Sequence, residues 1–539
     1  MIAAAALLLA AGVVASPPPT GSVVAAAADR DYRAALDLLY DGRADAAQAR
    51  LRELEAAHPG DPVPVYLQAL ALAWIVEQQP ETTARDREVE EAADRAFAVA
   101  DARLRADPED ARALFARGAA RGVRSRHHLF RAQRGDAART AAQMREDLLA
   151  ARARDPEDAD VLFGLGLYDY YVDVLPRFAR LLRFLSRLPG GDRARGLAAI
   201  EEAARSSTLH GVEARVQLYE IHAFYEDDPE AAAADMEELA RRYPGWPLWR
   251  LKLAEHLRDR LGAYAESGAV ARRMLYASET VRAQAGPGAL ALARLSLGES
   301  LLLDLRPEEA RQALLPLLDT GVGQPALAAR ARLLIGRSLE LEGERDGAAA
   351  HYRAASADRE SRKRAQSALA HPLSAAEVEG RQRLALARRA REAGRGDLAA
   401  ARAREALSAW PGAREAALIV AEQALRDGGE EARVPSIDET RADEPPWLVA
   451  WSRLLRAREA DARGQRAFAL DLYKKVYEHD WRRTDLRDGA AEGLRSPFHP
   501  DGPRARPSAP ARDKRTSIPT APGAGFLDVW RFSTAACTG

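Results

Sequence analysis

Cysteine is nearly absent from this chain: among 539 residues there is one, Cys537, the third residue from the C-terminus. An intrachain disulfide is therefore impossible, and no thiolate metal cluster can form. Aromatic residues make up 6%, which deprives β-sheets of their usual fillers. Charge of one sign is lacking as well, with 79 Lys and Arg against 80 Asp and Glu and a formal net charge of −1. That balance excludes the basic excess that nucleic-acid backbones select, so no nucleic-acid partner is expected. Long apolar runs are missing too: Ile2 to Ala15 is 14 residues, short of the roughly 20 that a membrane-spanning helix needs.

Alanine, arginine, leucine and glutamate fill the space these absences leave, and charged residues reach 29%. Such a mixture favours helix, and an all-α fold follows. The apolar run at the N-terminus leads into Ser16, three prolines and small residues up to Ala28. It is shaped like a signal peptide, with a cleavage site at Val13-Val14-Ala15 or within Ala25 to Ala28, although no Lys or Arg precedes it. Residues 1–28 are therefore expected to be removed and the mature chain to be exported, periplasmic or envelope-associated. No cysteine lies near the cleavage region, so no lipid anchor is expected.

Internal repeats organise the remainder. The clearest unit runs Leu334-Ile335-Gly336, Leu339, Gly343, Ala348, Tyr352 and Ala355. The same frame recurs as Gly42, Ala47, Leu51 and Pro59; as Leu297, Gly298, Leu301, Ala310 and Leu314; as Gly394, Ala399, Ala406 and Pro411; and as Gly464, Ala469 and Tyr473. Small residues at these places let two helices of a hairpin approach closely, while large ones fill the groove between hairpins. This spacing resembles the tetratricopeptide repeat, which implies an α-solenoid, a right-handed superhelix of helical hairpins. A proline column at Pro59, Pro108, Pro156, Pro244 and Pro411 follows helical runs and stops them. Asp107-Pro108-Glu109-Asp110-Ala111 and Asp155-Pro156-Glu157-Asp158-Ala159 are near copies. The 49-, 48- and 88-residue intervals between Pro59, Pro108, Pro156 and Pro244 exceed the standard unit, so lengthened or inserted helices are expected.

About ten hairpins are expected from Asp29 to Arg495, divided into an N-terminal array with inserted helices (29–275), central repeats (289–426) and a C-terminal repeat (447–495). Weak joints are expected at Tyr276 to Gly288 and at Asp427 to Pro446, where Gly, Pro and charge replace periodicity. The tail, 496–539, carries seven prolines before Gly523 and is expected to be disordered. Its end, Phe526 to Phe532, reads either as a short recognition segment or as a meaningless terminus.

Residues 161–250 carry the most distinctive text: Gly164-Leu-Gly166-Leu-Tyr168-Asp-Tyr170-Tyr171, then Leu188-Pro189-Gly190-Gly191-Asp192 and Gly196. This is similar to bacterial tetratricopeptide proteins distantly related to the mitochondrial outer-membrane inclusion-body-clearance family. The resemblance implies an accessory helical-repeat protein and brings no catalytic residues with it. Asp169 stands where the repeat frame places a tyrosine. Between Asp173 and Asp192 there is no acidic residue, and Arg177, Arg180, Arg183 and Arg187 alternate with Phe178, Leu181, Leu182 and Leu185. That is a basic amphipathic helix, suited either to an anionic surface or acidic partner, or simply to packing on the superhelix with its arginines in water.

Catalytic signatures are not found. No phosphate-binding loop occurs; Gly164-x-Gly166 falls on a helix. His127-His128 and Glu255-His256 lack the spacing that brings two imidazoles onto one metal, and Ser267 has no nucleophile elbow. Adjacent acids such as Glu201-Glu202 point apart on a helix. The expectation is a non-enzymatic scaffold without cofactor, metal or small-molecule substrate, binding protein or peptide partners in the cell envelope, with possible peripheral membrane contact. Its candidate partner-binding residues are Tyr168, Tyr171, Arg177, Arg180 and Arg183. The alternatives are a structural subunit of an envelope assembly, or an enzyme domain hidden in 156–244.

Overall fold

The computed structural model describes residues 20–78, 82–174, 190–226, 228–319, 325–428, 433–437, 445–478 and 484–499. The run at 1–19, the arginines at 177, 180 and 183, and the tail from 500 onward lie outside the described residues. The described residues form helices and connecting turns, with no strand among them.

Among the described residues ten hairpins stack in chain order. The first five are α1 (Thr20–Tyr40) with α2 (Ala44–Ala57), α3 (Val63–Glu77) with α4 (Asp86–Ala106), α5 (Ala111–Phe130) with α6 (Arg134–Arg154), α7 (Ala159–Asp173) with α8 (Arg193–Ser206), and α9 (Gly211–Phe224) with α10 (Pro229–Arg242). Next come α11 (Pro247–Asp259) with α12 (Tyr264–Leu275), α13 (Glu279–Leu303) with α14 (Pro307–Leu314), and, after the short α15 (Pro316–Asp319), α16 (Pro325–Glu342) with α17 (Arg345–Ala355). Following α18 (Arg362–Ala370), α19 (Ala375–Glu392) pairs with α20 (Gly396–Ala409), and following α21 (Arg414–Arg426), α22 (Pro446–Ala462) pairs with α23 (Arg466–Glu478). The strongly amphipathic α24 (Thr484–Arg495) buries Leu486 and Ala490 and ends the stack. The extensive helix–helix packing joins helices that are close along the chain, as an α-solenoid of tetratricopeptide-like hairpins requires.

Why the hairpins close is visible at the small residues. A methyl on Gly336 would lie 2.6 Å from the Tyr352 ring and 3.2 Å from Ala348 O, so only glycine lets α16 and α17 approach. Gly298 meets Leu314 in the same way, and Gly118 meets Leu148. The two copied turns act alike: Asp110 accepts from Ala113 N at the start of α5, and Asp158 accepts from Asp160 N and Val161 N at the start of α7. Pro59, Pro108, Pro156, Pro244 and Pro411 each stand just beyond α2, α4, α6, α10 or α20. The long first intervals come from the 20- and 21-residue helices α4, α5 and α6, while the 88-residue interval holds two hairpins, α7–α8 and α9–α10.

The segment read as a joint at Tyr276 to Gly288 is mostly helical. Ser278 caps α13 by accepting from Val281 N, and the helix kinks at Gly286 (φ 78°, ψ 164°) before Pro287 restarts it. Proline tolerates a first-turn position, so the Gly and Pro that mark the expected joint make a kink between two helical runs.

The inner face also differs from an open groove. At the end of α1, Trp249 Nε1 donates to Tyr40 O (2.9 Å), Gly245 N donates to Asp41 Oδ1 (2.6 Å) and Gln284 Nε2 donates to Asp41 O (2.9 Å). These contacts span 204 to 243 residues of sequence and bring the first turn of the superhelix back onto its own beginning. A second closure joins Trp447 Nε1 to Tyr264 OH (3.2 Å), with Trp447 packed over Gly262, and Arg388 Nη1 to Leu303 O (2.6 Å). The physical reason is side-chain size: Tyr40, Trp74, Trp246 and Trp249 are large enough to fill the inside of the first turn.

Candidate functional site

The distinctive text of 161–250 builds the α7–α8 hairpin, and its glycines are the points of closest approach. A Cβ on Gly196 would lie 2.5 Å from Tyr170 N and 2.7 Å from Gly166 O; one on Gly191 would collide with Asp169 O and lie 3.0 Å from Asp173 N. Asp192 caps α8 by accepting from Arg195 N (2.9 Å), Arg195 Nε donates to Asp169 Oδ2 (2.8 Å), and Arg193 N donates to Asp173 Oδ2 (3.1 Å). Arg193 also forks onto Glu226 (2.8 and 2.6 Å), which accepts from Tyr170 OH (2.7 Å). Asp169, which departs from the repeat frame, thus serves as the anchor for Arg195. The hairpin is clamped at Asp173 and Gly191, on either side of the segment that contains Arg177, Arg180 and Arg183.

Tyr168 and Tyr171 both sit on α7. Tyr168 is buried in the core, with the Arg145 guanidinium 5.4 Å from its ring centroid. Tyr171 is half-buried, donates to Gln217 Oε1 (3.0 Å) and packs edge-on against Tyr170 and Tyr225. Burial and nearby Glu220 push its phenol well above the ordinary range.

Beyond α8 the chain is pinned by Asp160. Its carboxylate accepts from Thr208 N (3.1 Å), Leu209 N (3.0 Å) and His210 N (2.8 Å), and from the Ser207 hydroxyl. Burial works to raise this carboxyl, but the His210 imidazole beside it, Ser207 and the amide donors outweigh burial and bring it down to about 2.

A second constellation occupies the inner face of the first turn. Arg126 on α5 forks onto Glu77 of α3 (2.7 and 2.5 Å) and reaches Glu213 of α9 (2.9 Å), while lying 5.2 Å from the Trp74 ring centroid. Glu213 also accepts from Tyr40 OH of α1 (2.9 Å) and from Trp74 Nε1. Two turns further along α9, Glu220 is 2% exposed; Gln217 approaches its Oε2 at 3.4 Å, and its buried Oε1 has no hydrogen-bond partner. Burial pushes Glu220 up to about 8 against the pull of Arg126, with Glu77 and Glu213 adding to the rise. Burial also raises Glu77 in spite of its pairing. Sequence reading passed over these residues. The available signal was acid in otherwise apolar helices: Glu77 ends the apolar α3, and Glu213 and Glu220 stand seven apart on one face of α9.

The histidines are held structurally. His256 Nε2 lies 2.6 Å from Pro229 O, and burial holds the ring down at about 4, so it is neutral. His222 Nδ1 faces Asp235 (2.9 Å), which also pairs with Arg215. His127 and His128 lie beside Asp86 and Glu90 respectively. Among the described residues no group of three or more His, Cys, Asp or Glu side chains is arranged to hold a metal ion, and no helix is long and apolar enough to cross a membrane.

No protein-family model matches the chain, and neither does any curated protein. Among solved structures the chain is similar to the crystal structure of the yeast Tom70, at 10% identity and a TM-score of 0.25, covering 88% of this chain and 96% of that one. It is also similar to Naa15/Naa10 bound to HypK-THB, at 14% identity and a TM-score of 0.17, covering 87% and 79%. At these TM-scores neither likeness carries an argument; the repeat assignment rests on the hairpins themselves.

Proposed function

We propose that this chain is a non-catalytic scaffold that holds protein partners in the cell envelope. The carrying observation is an array of ten hairpins in which the distinctive residues Gly166, Gly191, Asp192 and Gly196 are spent on packing. Stacked hairpins of this kind offer long surfaces to peptides and domains. The signal-like N-terminus supports export. Tyr168 is engaged by Arg145 of α6 and Tyr171 by Gln217 of α9, so the basic segment bearing Arg177, Arg180 and Arg183 is the better candidate for contact with an acidic partner or an anionic membrane surface.

The self-filled inner face favours a second role, a structural subunit that spaces other components of an envelope assembly, over a receptor that takes ligands into its groove. Purification from the native envelope fraction, with the Arg177, Arg180 and Arg183 to Glu triple variant alongside, tests both. Partners or liposome binding lost in the variant support contact through the segment. Partners retained by the variant move the contact to the array, and absence of any envelope partner overturns the proposal.

A further inference from the structure

Two tryptophans close the superhelix by the same device. Trp246, at the start of α11, lies on Gly42 in the α1–α2 turn, where an added Cβ would stand 3.1 Å from Trp246 Cδ1. Trp447, at the start of α22, lies on Gly262 in the α11–α12 turn, where an added Cβ would stand 2.5 Å from Trp447 Cδ1. Both glycines hold a positive φ, 81° and 61°, so each indole rests on a left-handed step of bare backbone.

The surroundings of the two closures differ. The first lies within one apolar cluster that runs from Ala28 to Val270. The second joins separate clusters. The core of α19–α24 runs from Leu384 to Ala490, and among the described residues the apolar side chains from earlier in the chain that pack on it are Tyr264 and Leu305. Hairpin eight and α18 keep a cluster of their own, around Ala348, Tyr352, Ala355 and Ala365. Leu373 N donates to Glu340 Oε1 (2.8 Å) and Gln382 Nε2 to Leu341 O (3.1 Å) where the chain passes from hairpin eight to hairpin nine.

Leu305 adds an independent sign. The left-handed step that glycine takes at 42, 262, 343, 394 and 464 is taken in the α13–α14 turn by Leu305, at φ 57°, a conformation that a leucine side chain disfavours. That side chain is the one that packs on the C-terminal core. Backbone strain is therefore held where the two bodies touch.

We propose that the second closure is a releasable clasp. The helices α19–α24 swing away from hairpins six and seven as one body, about the non-helical stretch His371 to Ser374, while the first closure stays shut. Release breaks the bonds from Trp447 Nε1 to Tyr264 OH and from Arg388 Nη1 to Leu303 O, and water can replace both. Arg388 keeps its fork on Glu415 inside the moving body (2.7 and 2.5 Å), so no charge is stranded. The open form uncovers Trp447, Tyr264 and Leu305.

Peptide-level hydrogen exchange of the full chain, paired with small-angle scattering, tests the clasp. In Trp447→Ala, protection over 256–266 and 446–456 is expected to fall by more than about tenfold. The radius of gyration should rise, while 38–46 and 243–250 keep wild-type protection. Leu305→Gly covers the case in which the tryptophan variant fails to fold, because it relaxes the backbone of its own turn and removes only the side chain. It is expected to lower protection over 446–456 and to leave the α13–α14 hairpin as protected as before. Wild-type protection over 446–456 and an unchanged radius in Leu305→Gly would overturn the clasp. Loss of protection spread evenly over all ten hairpins in either variant would overturn it too, since the second closure would then belong to one cooperative fold.

Discussion

At the scale of single residues, this protein is governed by what cannot be added or taken away. Gly196 has Tyr170 N and Gly166 O where a side chain would stand, so Gly196→Ala should destabilise the chain by about 1–3 kcal/mol, measured by urea unfolding. A change of under 0.5 kcal/mol, the size typical of open surface positions, would show that α7 and α8 are not in close contact. Asp160 argues the opposite case, a charge whose removal is felt. Its carboxyl lies at about 2 when folded against 3.8 when free, so its contribution is present above pH 4 and lost as pH falls towards 2. Asp160→Asn should be less stable than the wild type by about 2 kcal/mol at pH 7, and the two should converge in acid; a gap independent of pH would assign the loss to shape. The glycines were legible in the sequence because a repeat frame marks them. The role of Asp160 was not, because its donors lie 47 to 50 residues away.

At the scale of elements, the hairpin is the unit, and its capping and stopping signals were readable locally. Asp110 and Asp158 cap their helices as the copied turns suggested, and the proline column marks helix ends. Gly286-Pro287 stands where one helical run ends and the next restarts at a kink, because proline fits the first turn of the run that follows. In the α7–α8 hairpin the contacts of Gly191 and Arg193 bring Asp173 next to the start of α8, so the two helices are joined without recourse to the residues between them in sequence. Replacing residues 175–189 with a short Gly-Ser linker should leave the melting temperature within about 4 °C of the wild type, the shift expected for less than about 1 kcal/mol in a large chain. A larger fall in a calorimetric scan would make the segment part of the fold. The same excised chain, if it still recovers all partners, would remove Arg177, Arg180 and Arg183 from consideration.

At the scale of the whole molecule, closure of the superhelix on itself is the dominant fact. Asp41 receives Gly245 N and Gln284 Nε2 from elements more than two hundred residues later. Asp41→Ala should therefore cost about 1–2 kcal/mol and speed proteolysis between α1 and α11, while Asp45→Ala, on the neighbouring helix α2, should be nearly silent. Equal effects of the two would mean that the turn is not held shut at this point. The closed inner face also bears on the proposed scaffold role: it leaves outer surfaces, in place of a lined groove, for the partners proposed above.

Sequence by itself determined the helical class, the hairpin frame, and the positions of caps and stops, because each depends on neighbours within a few residues: a period of 3.6, a small residue at a crossing, an acid before a free amide. Tertiary structure alone decided which aromatics and acids meet inside the first turn. Tyr40, Trp74, Arg126, Glu213 and Glu220 belong to four helices spread over 180 residues, and a side chain's partner across a superhelix is set by the small rotation each hairpin adds to the last, a quantity that accumulates over the stack and is written in no local stretch of the chain.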